Sequence, residues 1–326
     1  IAALLASPAK AQMALGGSAR LARALERALR EAGGEVLTGV EPRRILVEGG
    51  RAVGVELAGG EVLGARCFVA SSLNPQQTFL DLLAPEHLPA AWRRKAEGFR
   101  YNLLAPLFAL NLALAAPPRY AAAEADAALD DAFMVILGLD RFEQFHDIVR
   151  HHQAGTIPPT VMWGACPTRF DPSQAPEGRH TAFMWEKLPY RLHGDSANWD
   201  SARERHSREM LALWDSYAPG LADSVIDSFA RSPLDTERTL PNMRGGDLLI
   251  GAFDHGQVGH DRPFPGAGGY RGHLGGLYLC GSSCHPGGNV TGLPGYNAAQ
   301  VLLTDLGARA GWMPGPLVDR LPGGGA

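Results

Sequence analysis

Residues 277–299 read LYLCGSSCHPGGNVTGLPGYNAA, and the rest of the chain is interpreted from this stretch. Its first part, 277–281, is an apolar run that ends in glycine, which is typical of a buried strand in a parallel sheet. Pro294 then stands where the first turn of a helix tolerates proline. Glycines beyond the carboxyl end of such a strand let backbone N–H groups approach an electron-rich ligand. On spacing alone, a plain strand–loop–helix connection explains the stretch equally well.

The bulk composition is that of an ordinary globular protein of 326 residues, 45% hydrophobic and 20% charged. The net charge is 30 − 34 = −4, so nothing indicates nucleic acid as a partner. Four scattered cysteines do not make a disulfide framework, and we therefore expect a reducing, cytoplasmic setting. No run of eighteen apolar residues can span a bilayer, while peripheral contact with a membrane stays open.

The sequence begins at Ile1, without an initiator Met and without the charged start of a signal peptide. We expect that Ile1 is not the natural beginning of the gene product. A fragment, a processed product and one half of a split protein are all compatible with this start.

Hydrophobic periodicity and turn residues predict the secondary structure. A helix is predicted between an N-cap at Ser18 and a stop at 33–34, and a second helix at 76–83. Short strands are predicted between them at 35–40, 43–47, 52–57, 61–63 and 66–70. The middle of the chain is predicted to mix strands (102–114, 133–139, 161–166, 180–188, 225–229) with helices (144–153, 201–217).

The stretch 277–299 resembles the C-terminal, flavin-side motif of the phytoene desaturase-like (phytoene dehydrogenase-related) FAD-dependent oxidoreductases. The shared pattern is an apolar strand, Cys-Gly-Ser, His-Pro-Gly-Gly, a spacer, Gly, and Tyr-Asn-Ala-Ala. Residues 262–271 and the glycines at 16–17 and 33–34 also resemble family segments. The resemblance implies an α/β fold, namely an incomplete two-dinucleotide-binding-domain flavoprotein with an inserted mixed α+β substrate domain. It implies FAD-binding domain at 1–83 and 248–326, and substrate domain at 84–247.

Carried over by position, the resemblance implies ten FAD-binding residues: Val40, Gly281, Ser282, Gly287, Gly288, Asn289, Val290, Thr291, Gly292 and Leu293. Val40 would contact the adenine through its backbone, Gly281 and Ser282 would lie near the ribityl–pyrophosphate region, and 290–293 would line the isoalloxazine. Related flavoproteins often have an acidic residue where this chain has Ser282. Asn289 replaces a common third glycine, and it either hydrogen-bonds the cofactor or caps the loop. His285 is the candidate catalytic residue, with a structural role in holding the loop as the alternative.

The glycine fingerprint G-x-G-x-x-G, which places a pyrophosphate on the first helix of such folds, does not occur in the 326 residues. We therefore expect weak or no FAD binding by this chain alone. The implied function is an FAD-dependent dehydrogenase or desaturase that removes hydride from a hydrophobic small molecule, with the N-terminal nucleotide-binding half supplied by a second chain. Two alternatives stay open: a non-catalytic subunit or interaction module without cofactor, and an amine-oxidase-like flavoenzyme.

Other clusters of chemically capable residues are interpreted as structural, and no metal site is predicted. The spacing of Cys280, Cys284 and His285 does not fit haem attachment. We expect solvated or turn positions for the histidine pair, the Asp–His pairs and the arginine pair at 151–152, 254–255, 260–261, 203 and 205. Four aromatic residues are expected to form a core stripe rather than to line a substrate cavity: Trp163, Phe183, Trp185 and Trp214.

Overall fold

The structure is a computed structural model that describes residues 13–309. The described strands are β1 Pro42–Glu48, β2 Arg51–Leu57, β3 Val62–Gly64, β4 Val69–Ser71, β5 Leu107–Leu114, β6 Val135–Leu137, β7 Met162–Ala165, β8 His180–Lys187, β9 Val225–Arg231 and β10 Leu277–Leu279. The described α-helices are α1 Ala19–Glu31, α2 Ala90–Glu97, α3 Gln144–Ala154, α4 Trp199–Tyr217, α5 Leu221–Ser224, α6 Pro233–Thr239 and α7 Leu293–Asp305.

The described residues form two compact units. Unit 1 comprises Met13, 36–100 and 251–309, and unit 2 comprises 14–35 and 101–250. These units follow contacts within the chain, so residues 14–35 belong with 101–250, and residues 84–100 belong with unit 1. The domain boundaries at 83/84 and 247/248, which follow the sequence resemblance, stay a prediction.

Unit 1 contains two small sheets. Strands β1, β2 and β3 form an antiparallel meander, because glycine turns at 49–50 and 59–60 reverse the chain. Strands β4 and β10 pair in parallel, with Leu277 opposite Val69 and Leu279 opposite Ser71. All three residues of β10 are buried, as expected of a strand covered on both faces. Around them, Phe79 and Phe264 contribute aromatic rings to one apolar core.

Unit 2 contains a five-stranded antiparallel sheet in the order β6-β7-β8-β5-β9. Burial alternates along β5, because successive side chains of a strand point to opposite faces. Phe108, Leu110, Leu112 and Leu114 are buried, and they belong to one core with residues of α4. That core fixes which face of the sheet is closed, and the other face of the sheet is only half-buried.

Several sequence-based predictions for local structure are wrong. Residues 35–40 form no strand, since none of them is paired in a sheet by the described part of the chain. Residues 77–81 are π-helical rather than α-helical. Ser18 occupies the N-cap position of α1, but its backbone is already helical (φ −60°, ψ −28°) and its side chain caps nothing in residues 13–309. These errors lie at positions where the outcome depends on a tertiary partner or on local backbone detail rather than on periodicity.

Candidate functional site

The loop that follows β10, residues 280–292, is fixed at its start by close backbone packing. The N–H of Cys280 donates to the carbonyl of Ser71 at 2.9 Å, which extends the parallel pairing by one residue. A Cβ at Gly281 would lie 2.0 Å from the carbonyl oxygen of Ser72, so only glycine fits there. Gly287 has φ 107°, and a Cβ there would lie 2.5 Å from the Phe253 ring. Both glycines are therefore required by packing of the chain against itself.

A buried arginine supports the loop from beneath. Arg262 is 1% exposed, and its guanidinium stacks over the Phe253 ring, 4.1 Å from the centroid. Its Nη2 donates to the carbonyl of Ser282 at 3.1 Å, and Nη1 donates to the carbonyls of Ala252 and Gln257. A fixed guanidinium fork with several carbonyl acceptors orients backbone rigidly. The backbone at Ser282 is therefore held in place by a charge-assisted hydrogen bond.

His285 is placed by its backbone rather than by its ring. Its carbonyl accepts a 2.8 Å hydrogen bond from the Tyr270 hydroxyl, which in turn accepts one from the Asn297 amide at 2.9 Å. The residue itself is exposed. The structure thus supplies the loop-holding contact that the sequence interpretation offered as the alternative to proton transfer, while the catalytic role stays a prediction.

The next segment, 288–292, carries unusual backbone geometry. Asn289 and Val290 have φ 71° and 58°, and Gly292 has φ 68°. The left-handed region is costly for a β-branched residue such as Val290, of the order of 1–3 kcal/mol. Val290 is also 84% exposed, so packing by the described residues does not impose this conformation. Strained, exposed backbone of this kind is more typical of a binding loop than of a connection.

The loop ends at the N-terminus of α7. Gly292 is the N-cap, and no heavy atom lies within 4 Å of a Cβ built on it. Within residues 13–309, the backbone N–H groups of 288–292 donate to no acceptor. The N–H of Leu293 donates to the Thr291 hydroxyl at 3.3 Å. Free N–H groups and the positive end of the helix favour negative charge or electron density nearby.

The cysteines of this segment are not poised as nucleophiles. Burial raises the pKa of the Cys284 thiol to about 12, and burial also raises the pKa of Cys280. Both are free. Among residues 13–309, no three His, Cys, Asp or Glu side chains are grouped to hold a metal ion.

The predicted FAD-binding residues divide into two sets in the structure. Nine of them lie in one continuous segment, the loop and the first residue of α7: Gly281, Ser282, Gly287, Gly288, Asn289, Val290, Thr291, Gly292 and Leu293. Val40 lies in irregular backbone before β1 and is 46% exposed. Their roles toward a cofactor stay predictions.

A second candidate site, on the half-buried face of the sheet in unit 2, was missed by the sequence analysis. Trp163 lies opposite Trp185 on neighbouring strands, and Phe183 stacks 4.7 Å from the Trp185 ring. Asn111 lies between Phe183 and Phe229 in the register of the sheet. Because directly opposed residues share a face, these side chains form one aromatic surface, which we call the aromatic face. It is defined by Asn111, Trp163, Phe183, Trp185 and Phe229.

The expectation of a core stripe is thus wrong for three of the four aromatic residues. Trp214 alone is in the core; it is 0% exposed, and its indole N–H donates to the Tyr120 hydroxyl at 3.3 Å. Trp163, Phe183 and Trp185 are half-buried on the opposite face. The alternation of odd and even positions along β8 is the signal that separates them from the core, once the closed face is known.

Two of the remaining structural interpretations also change. His152 is buried rather than solvated, and its Nδ1 lies 2.8 Å from the carbonyl of Ile148. Burial lowers the pKa of its imidazole. Arg203 is half-buried and donates to Asp235 at 3.2 Å, whereas Arg205 lies on a solvated helix face as expected. Asp254 accepts hydrogen bonds from Arg100, so it does not form an acid–base pair with His255.

Comparisons with known proteins bear on both candidate sites. No family profile matches the chain. The chain is 31% identical over 299 residues to pyridine nucleotide-disulfide oxidoreductase domain-containing protein 2 of Rattus norvegicus, covering 89% of this chain and 51% of the rat protein. It is 29% identical over 320 residues to a limonene dehydrogenase component of Castellaniella defragrans, covering 93% and 57%. It is 25% identical over 291 residues to the neurosporene-forming phytoene desaturase of Cereibacter sphaeroides, covering 86% and 51%.

The chain therefore spans about half the length of the curated relatives it matches. Among solved structures, an oxidoreductase from Methanosarcina mazei matches with a TM-score of 0.53 at 17% identity, over 90% of this chain and 55% of that one. Cyclohexylamine oxidase from Brevibacterium oxydans matches with a TM-score of 0.50 at 13% identity, over 89% and 53%. At these identities the likeness shows the fold alone.

The fold is that of the FAD-dependent oxidoreductases, which confirms the predicted fold class. The chain belongs to the phytoene desaturase-like family of these proteins, as its C-terminal motif predicts. No helix among residues 13–309 combines the length and apolar character that crossing a bilayer requires.

Proposed function

We propose that the chain forms the flavin-contacting and substrate-binding parts of an FAD-dependent dehydrogenase or desaturase that removes hydride from a hydrophobic small molecule. The observation that carries the proposal is the exposed, strained segment 288–292 with free N–H groups at the start of α7. A flat, electron-rich ring suits that segment, because the open space at Gly292 and the positive helix end would both meet it. The family's oxidoreductase members support the same assignment.

The residues divide this work. Backbone N–H groups of 290–293 lie along the isoalloxazine, Gly281 and Ser282 lie near the ribityl–pyrophosphate region, and Val40 contacts the adenine. Bound FAD supplies the two-electron redox chemistry, so the protein needs no nucleophile of its own. The aromatic face binds the apolar body of the substrate, since stacked indole and phenyl rings favour large apolar ligands. The imidazole of His285 is the proposed proton carrier of the loop.

The pyrophosphate-binding half of the site is proposed to come from a polypeptide segment outside these 326 residues. The absence of G-x-G-x-x-G from the sequence supports this, because that fingerprint is how such folds hold the pyrophosphate. Exposed apolar side chains before β1 also support it, with Leu37 53% and Val40 46% exposed. Such side chains suit an additional protein surface.

The decisive experiment is reconstitution followed by flavin spectroscopy. The purified chain is mixed with FAD, alone and together with a polypeptide that carries the G-x-G-x-x-G unit encoded beside it. We expect visible flavin absorbance to stay with the protein only in the second case. A protein that stays colourless in both cases would instead support the non-catalytic alternative. An oxidised amine as the preferred substrate of the yellow complex would favour the amine-oxidase-like alternative.

A matched pair of variants tests the loop within the reconstituted complex. Gly292→Ala adds a Cβ into the space proposed for the flavin, and it should weaken FAD binding by at least about tenfold. Gly220→Ala is the control, because Gly220 is also a helix N-cap at positive φ (85°) with no heavy atom within 4 Å. Both substitutions carry the same backbone penalty, so only the first should change the FAD affinity. His285→Asn should slow turnover while leaving flavin absorbance intact.

A further inference from the structure

An apolar cavity of about 430 Å³ lies in unit 2 beside the aromatic face. Its lining includes Ile136 and Trp163 from the sheet, and Phe145 and Val149 from α3. The volume falls within the range of roughly 300–1,000 Å³ that small-molecule sites occupy. Every lining side chain but one is apolar, and that exception is Lys187.

Lys187 ends strand β8 and is half-buried. Its ammonium group donates a hydrogen bond to the carbonyl of Leu104 and lies 5.7 Å from the centroid of the Trp163 ring. In the described part of the chain, no carboxylate lies within 4 Å of Nζ. Asp247 is the carboxylate whose charge acts on it from farther away, and the oxygens of Asp247 already accept backbone N–H groups of Asn102 and Leu249.

An ammonium group in such surroundings has hydrogen-bonding capacity left over. It carries three N–H donors, and one of them is used by Leu104. Burial lowers the pKa of Lys187, since the low dielectric of the cavity disfavours the charged form. An anionic group brought within hydrogen-bonding distance would offset this penalty and form a charge-assisted bond.

We propose that this cavity, the Lys187 cavity, binds an apolar acid with its carboxylate on the Lys187 ammonium and its hydrocarbon body against Trp163, Ile136 and Phe145. This names the substrate class within the proposed function, and it rests on that function only for the statement that the bound acid is then oxidised. Binding itself requires no flavin. Charge complementarity selects an acid over a hydrocarbon, because a hydrocarbon would leave the ammonium without a counter-charge.

The test uses two fluorescent probes that share one hydrocarbon body, parinaric acid and its methyl ester. Binding to the purified 326-residue chain is followed by energy transfer from tryptophan. We expect the wild-type chain to bind the acid at least tenfold more tightly than the ester. Lys187→Met keeps an unbranched apolar side chain without charge, and it should lower the acid affinity to that of the ester while the ester affinity changes less than twofold.

Two further variants keep the result decisive. Lys187→Arg retains the charge and should retain most of the preference for the acid. Lys95→Met is the matched control, because Lys95 is exposed and donates to the carbonyl of Pro265 in unit 1, so it should change neither affinity. Should Lys187→Met fail to fold, Lys187→Gln supplies the same comparison.

Three results would overturn the proposal: equal affinities of the wild-type chain for acid and ester, an acid preference that survives loss of the Lys187 charge, or no binding of either probe. None of these results depends on FAD. A chain that prefers the acid but never becomes yellow with its nucleotide-binding partner would sink the proposed function and leave the Lys187 cavity intact.

Discussion

The two β structures of the molecule differ in how much of their own stabilisation they contain. In unit 2, the seven- and eight-residue strands β9, β5 and β8 lie side by side, and a large buried core closes one face of that sheet. In unit 1, the parallel pair consists of the three-residue strands β4 and β10. The strained loop 288–292 follows the smaller structure rather than the larger one.

This difference indicates a division between scaffold and site. Binding loops are commonly drawn from the less stable parts of a fold, whereas an antiparallel sheet with a complete core forms its rigid part. The aromatic face follows the same logic from the other side, since it is the open surface of the most stable element. Four predictions test this comparison.

The largest expected effect is on the closed face of the sheet. Trp214→Ala removes a fully buried indole, and it should lower the free energy of unfolding by about 3–5 kcal/mol. Trp163→Ala, on the aromatic face, should cost about 1 kcal/mol or less, since much of that side chain is already in contact with solvent. Urea unfolding followed by circular dichroism measures both. Equal losses for the two tryptophans would contradict the assignment of one closed and one open face.

The second prediction concerns the parallel pair. Gly281→Ala forces a Cβ against the Ser72 carbonyl, where it would lie at 2.0 Å, and this overpacking should cost about 1–3 kcal/mol. Gly59→Ala is the control in the same unit, because nothing lies within 4 Å of its Cβ position and its φ is not positive. Thermal unfolding of the two variants should differ clearly. A Gly281→Ala protein as stable as the control would show that the strand end can move apart freely.

Much of this fold could be predicted from local patterns, because those patterns depend on the chain alone. Turn glycines and alternation gave β1, β2 and β3 nearly at their observed bounds, and helical periodicity gave α3 and α4 within two residues. The strand predicted at 35–40 failed because a strand requires a pairing partner, which periodicity does not supply. The sequence also could not assign Trp163 and Trp214 to opposite faces until the position of α4 was known.

The candidate site was predictable only as a position in the chain. A glycine-rich segment after an apolar strand located the loop, but its left-handed residues could not be read from the sequence. Asn289 tolerates that conformation, whereas Val290 ordinarily avoids it, so no propensity predicts φ 58° there. Lys187 likewise carried no signal, because its chemistry arises from the cavity that α3 closes around it.

The third prediction compares the two β structures directly by amide hydrogen exchange. Amides of β8, in the interior of the sheet, should exchange through global opening, whereas those of β10 should exchange through a smaller local opening. We expect protection factors at least about tenfold higher for Met184 than for Leu279. Equal protection of the two strands would indicate one cooperative unit and would remove the proposed division between scaffold and site.

The smallest expected effect is electrostatic and concerns the clamp between β10 and the end of α7. Arg271 and the Tyr278 hydroxyl both donate to the Asp305 carboxylate, at 2.7 and 2.9 Å, and these hydrogen bonds lower its pKa to about 2. Because the folded-state pKa is depressed, the stabilisation is fully present above the ordinary carboxyl value. It is lost as the pH falls from that value toward about 2. Arg271→Met should therefore raise the Asp305 pKa toward its ordinary value, which carboxyl-carbon NMR detects.

The same titration shows whether the clamp matters to the loop that precedes α7. Lys95→Met serves as the charge control, since Lys95 bonds to the carbonyl of Pro265 and takes no part in the clamp. If the clamp holds α7 to β10, exchange of the α7 amides should accelerate in wild-type protein as the pH falls below the ordinary carboxyl range, after correction for intrinsic rates. The Arg271→Met variant should show that faster exchange already at neutral pH. An Asp305 pKa unmoved by Arg271→Met would mean that the Tyr278 hydroxyl alone sets it, and that β10 holds the helix without the arginine.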